Sequence, residues 1–188
     1  MSTETLGDRG KALEGKFFKD REQEQINRLR AEQAKDAAVT DLADITGFAD
    51  AGILRKMVDL GVTPMTLAAF SIVPMLHVAW SDHVLDDAER KSILLEATSA
   101  GLKSTSPAYS LLESWLTESP NTELFAAWRT YHTELSAHLS DAEKSTLRTE
   151  ILAKADKVAR ASGGLLGFAS VSAEERDALN ELTQILGS

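Results

Sequence analysis

The 188-residue chain is 43% hydrophobic, enough for one sizeable core, and it contains no cysteine, which excludes disulfides, thiolate nucleophiles and cysteine-ligated metals. Its net charge of −9 and pI near 4.9 oppose binding to nucleic-acid phosphates. The charge is uneven: residues 1–36 hold eight basic and eight acidic side chains, whereas residues 37–188 hold twelve and twenty-one.

The first residues lack the apolar run of a signal peptide, so a cytoplasmic location is expected. Residues 8–45 have no proline and only two aromatics, Phe17 and Phe18, among many Ala, Glu, Gln, Lys and Arg. This predicts one long exposed helix, weakened at Gly10 and Gly15. Its apolar positions, such as Leu13, Phe17, Ile26, Leu29 and Leu42, make at most a thin stripe and sustain no heptad. With Gly47 as a stop, residues 1–47 read as a protruding helical extension and 48–188 as a compact domain.

Asp50 can cap a short helix closed by Gly61. Thr63-Pro64 then reads as an N-cap with proline at the first helical position, opening a helix that is apolar all round and runs to Trp80. Pro74 should bend it near Phe70. Gly61 to Ser81 carries no Asp, Glu, Lys or Arg and approaches the length of a membrane span. Thr63, Thr66, Ser71, Pro74 and His77, with no basic flank on the C-terminal side, assign it instead to the centre of a bundle. Three later helices start on capping boxes, Asp86-x-x-Glu89, Ser140-x-x-Glu143 and Ser172-x-x-Glu175, each after an apolar residue. Two more start at Ser106-Pro107 and Ser119-Pro120, while Gly101 and Gly163 read as stops. The sum is an all-α chain of about eight helices, one long head and about seven in the body.

Acid–base chemistry has few candidates. His77 and His83 are six apart, as are His132 and His138, whereas one helix face needs a spacing of three or four. No HExxH, GxSxG or P-loop pattern occurs, so a non-enzyme is expected. Asp82, Asp86, Asp87 and Glu89 lie within eight residues and could offer oxygens to a hard cation such as Ca²⁺ or Mg²⁺. The same side chains have local uses: Asp86 as cap, Glu89 closing its box, Asp87 beside the positive end of a helix.

The segment Ala79-Trp80-Ser81-Asp82-His83-Val84-Leu85-Asp86-Asp87-Ala88-Glu89-Arg90 resembles the A-D-G-x-[VI]-D-x-x-E-R turn of TerB-like (tellurite-resistance type) helical domains. The resemblance spans residues 50–186, with a looser echo from Gly163 to Glu175. It implies an all-α fold with Asp82, Asp86 and Glu89 as ligands of a divalent cation. Two departures stand out. His83 replaces a glycine at a position where the backbone can require positive φ, and Gly167, Phe168 and Ala169 stand where a second acidic pair is expected. At the head, Asp8-Arg9-Gly10-Lys11-Ala12-Leu13-Glu14-Gly15-Lys16-Phe17 is similar to the D-R-E-K-A-F-E-x-K-F opening of the zeta inhibitor subunit of bacterial F-type ATP synthases. That similarity implies an F-type ATPase as partner, met by Asp8, Arg9, Lys11, Leu13, Glu14, Lys16 and Phe17. Self-association through the head is the other use of such a helix. The leading expectation is a non-enzymatic interaction or stress-associated module that binds a protein partner. A cation-binding domain and an ATP synthase inhibitor-like regulator are the alternatives.

Overall fold

The computed structural model describes residues 6–161 and 171–187, with the side chains of residues 6–15 and of Phe18 outside that description. Among the described residues there are nine helices and no strand: α1 (Leu6–Thr46), α2 (Ala51–Asp59), α3 (Leu67–Phe70), α4 (Val73–Ala79), α5 (Asp87–Ser99), α6 (Pro107–Thr117), α7 (Thr122–Ala137), α8 (Asp141–Ala159) and α9 (Ala173–Ile185). The fold is all-α with a long N-terminal helix. No helix among them is long and apolar enough to cross a membrane.

The chain breaks where local chemistry asks it to. Gly47, Gly61 and Gly101 take positive φ directly after helices, where a Cβ would be strained. Asp50 accepts hydrogen bonds from the Gly52 and Ile53 amides to start α2. All three capping boxes are formed, at Asp86–Glu89, Ser140–Glu143 and Ser172–Glu175. The expected stop at Gly163 lies outside the described residues.

Two starts differ from expectation. Residues 63–80 form two short helices rather than one bent helix. Pro74 has no amide to bond the Phe70 carbonyl, and the chain crosses the gap on tighter bonds, Ile72 N to Ala69 O and Met75 N to Ile72 O, both 3.0 Å. Thr63-Pro64 forms a turn ahead of α3, closed by the Thr63 amide donating to Thr66 Oγ1 at 2.7 Å. Likewise α7 starts two residues beyond Ser119-Pro120. The Asn121 side chain accepts from the Glu123 amide at 3.0 Å and supplies the cap.

Helix α4 is the hub. Val73, Pro74, Met75, Leu76, Val78 and Ala79 are all buried, and α5, α7, α8 and α9 pack around it. Only His77 looks outward, its Nε2 3.0 Å from Glu181 Oε2 and its ring stacked on Phe125 at 3.5 Å between centroids. Apolar burial of this kind, about 25 cal/mol per Å², supplies the main drive for folding.

The last turns of α1 share this core. Leu42 is fully buried, Ala38, Val39 and Ala43 pack against the cluster, and α2 lies alongside. Ion pairs extend the junction: Arg55 bonds Glu32 and Asp36, and Lys35 Nζ reaches Asp59 Oδ1 at 2.6 Å. Ahead of Lys35 every described side chain of α1, from Lys16 to Ala34, is exposed.

Candidate functional site

The acidic turn is built by backbone constraints before it is charged. Helix α4 ends at Trp80, and His83 then turns with φ 68, its amide bonding the Trp80 carbonyl at 3.0 Å. This is the left-handed position anticipated where the resembled turn has glycine. Asp82 Oδ1 accepts the Val84 amide at 2.9 Å, a local Asx turn that lines the chain up for α5. Asp82 thus has a structural use that the sequence did not reveal.

Asp86 Oδ1 accepts the Ala88 and Glu89 amides, both at 2.8 Å, and Glu89 Oε2 accepts the Asp86 amide at 3.0 Å. These bonds engage one oxygen of each carboxyl, Asp86 Oδ1 and Glu89 Oε2. Hard cations want about six or more converging oxygens, and among the described residues no group of three or more His, Asp or Glu could hold a metal ion. Asp82, Asp86 and Glu89 follow one another along a turn and a helix cap. The glycine-rich segment of the second turn, Gly167 to Ala169, lies outside the described residues.

What the turn does meet is Glu175. Glu89 and Glu175 are the acids of two capping boxes, and each is only 4% exposed. Glu175 Oε2 accepts the Ser172 amide at 2.6 Å, as Glu89 Oε2 accepts that of Asp86. The two carboxyls are close enough for each to oppose the other's ionisation, an arrangement that favours a proton on Glu89. Burial pushes the Glu89 carboxyl up to about 8, the facing Glu175 adds to this, and the Asp86 amide opposes it. Glu89 is therefore protonated at neutral pH, and Glu175 Oε1, buried with no hydrogen-bond partner among the described residues, is the acceptor that its proton would suit. From the sequence each glutamate reads as the acid of a separate cap. The half-buried apolar residues ahead of these boxes, Leu85 and Val171, gave no sign that both acids are buried, since Leu139 stands ahead of the exposed Glu143 in the same way.

The histidines serve packing. Burial lowers the pKa of His77 against the opposing pull of Glu181, and burial also lowers that of His132. His132 is 7% exposed, with Nε2 3.2 Å from Ser136 Oγ and the ring stacked near Trp128. His83 and His138 are exposed.

The second candidate site is the head. Asp8, Arg9, Lys11, Leu13 and Glu14 fall within α1, but their side chains lie outside the described residues. Lys16 and Phe17 are exposed, and the Arg21 guanidinium sits 5.6 Å over the Phe17 ring. Leu29 and Ile45 are also open to solvent, on different sides of the helix. No family model matches the chain, and neither a curated protein nor a solved structure matches it.

Proposed function

We propose that this chain is a non-catalytic interaction module that engages a protein partner through the exposed part of α1. The observation that carries the reading is a long helix stretch with no buried face. From Lys16 to Ala34 every described side chain is exposed, although most helical stability in proteins comes from packing one face. A helix that is polar all round either bridges to something else or is marginal alone. Its near balance of charge, against an acidic body, suits a protein surface carrying both signs. Among the described residues Glu89 and Glu175 close capping boxes and His77 and His132 stack in the packing, which favours a non-catalytic role.

The absence of cysteine permits a direct test. A single Ala31→Cys carrying a photo-crosslinker, on the exposed stretch, should capture a discrete protein that Leu95→Cys on the body does not. Deleting residues 1–34 should remove the same protein from an affinity pull-down with the chain while the body still unfolds cooperatively. Equal capture from both positions would overturn the reading. The ATP synthase inhibitor-like version is separable: the full chain, and not the truncation, would slow ATP hydrolysis by an F-type ATPase, and undiminished hydrolysis would dispose of it.

A further inference from the structure

Helices α7 and α8 are joined only by residues 138–140, yet they diverge, α7 packing on α2 and α4 and α8 on α4, α5 and α9. The wedge between them is a cavity of ≈ 260 Å³. Ile72 and Met75 form its floor, and Trp128, Leu135, Leu147 and Ile151 its walls. His132 also lines it. One of its ring nitrogens meets Ser136 Oγ, and the other has no partner among the described residues. Burial keeps this imidazole neutral, so it can donate or accept a single hydrogen bond.

The rim decides the charge of the occupant. Glu96 is held by Lys157 at 2.5 Å, and Glu150 and Lys154 stand one turn apart on α8, so two acids and two bases balance at the mouth. Neither an anion nor a cation is selected. Volume limits size: an apolar cavity of about 150 Å³ accepts benzene, whereas drug-sized sites begin near ~300 Å³. We propose that the wedge between α7 and α8 binds a small neutral aromatic molecule of one or two rings, its ring beside Trp128 and its one polar group on the free nitrogen of His132. This site is separate from the surface of α1 and stands whether or not α1 binds a partner.

The test is a titration of the full chain with phenol, indole, toluene, benzoate and benzylamine, followed by side-chain methyl NMR. Phenol and indole should shift the Ile72, Met75 and Ile151 signals saturably below about 10 mM. One hydrogen bond in an apolar site should make phenol about threefold to tenfold tighter than toluene. Leu147→Trp, which plugs the mouth, should weaken binding at least about tenfold, and the exposed Leu95→Trp should not. Ala100→Trp, at the opposite lip, is a second plug should the first fail to fold. His132→Leu should erase the preference for phenol over toluene while ring binding persists. No saturable shift, unchanged binding in a folded plugged variant, or tighter binding of benzoate or benzylamine than of phenol would overturn the proposal.

Discussion

Stability should depend on the proton between Glu89 and Glu175 in a way that one substitution removes. Holding the Glu89 carboxyl at about 8 rather than 4.5 makes its ionisation in the fold cost up to about 5 kcal/mol, at ~1.4 kcal/mol per pH unit. The unfolded chain releases this proton near the ordinary value and the folded chain keeps it. Between about pH 5 and 8 the native state therefore binds one more proton, and stability falls as pH rises, by up to about 1.4 kcal/mol per unit. The contribution is fully present in acid and lost once pH passes about 8. Glu89→Gln keeps the donor and the acceptor, its amide facing Glu175 Oε1 and its oxygen the Asp86 amide, but cannot ionise. Urea unfolding of both proteins from pH 5 to 9 should give curves that meet in acid and diverge in base, the variant being more stable. Taking the difference removes His77 and His132, whose lowered values cost stability in the opposite direction, as pH falls through the ordinary histidine range. Parallel curves would refute the shared proton.

Four further outcomes are expected. Leu42→Ala should lower unfolding free energy by about 2–5 kcal/mol in urea titrations, since its side chain is fully buried although it belongs to α1. Arg55→Ala should speed hydrogen exchange in the α1 turns around Glu32 and Asp36 and leave α4 amides unchanged. His83→Val, β-branched at φ 68, should cost about 1–2 kcal/mol by the same measure, whereas His83→Gly should not destabilise. Adding Ca²⁺ or Mg²⁺ at millimolar concentration should leave the melting temperature unchanged, because Asp86 Oδ1 and Glu89 Oε2 are held by backbone amides; a rise would point to a cation site at this turn.

Legibility in the sequence followed the range of the interaction. Asp50, Ser140, Gly61 and His83 act on amides or dihedrals within a few residues, and each was readable from its neighbours. The break between α3 and α4 was half readable: Pro74 announced a disturbance, but whether the chain bends or restarts depends on what packs around Ile72 and Val73. Asp82 escaped because its bond to the Val84 amide needs no motif. The pairing of Glu89 with Glu175 was invisible for a different reason. Each acid already had a complete local explanation, and nothing in either segment encodes that two helix starts 86 positions apart in the numbering come together. The cavity beside His132 depends on the splay of α7 and α8, which is set by the different helices each packs on.

The 41 residues of α1 span about 60 Å at 1.5 Å per residue. Lys16 and Phe17 stand roughly 40 Å along that axis from the buried Leu42. Electrostatic influence decays over about 8 Å at physiological salt, so the surplus of acid on the body scarcely reaches the tip. A molecule approaching Phe17 meets only the evenly mixed charges of the helix itself. The rod therefore acts as an insulator, letting one end of a strongly acidic protein behave toward its surroundings as though it were neutral.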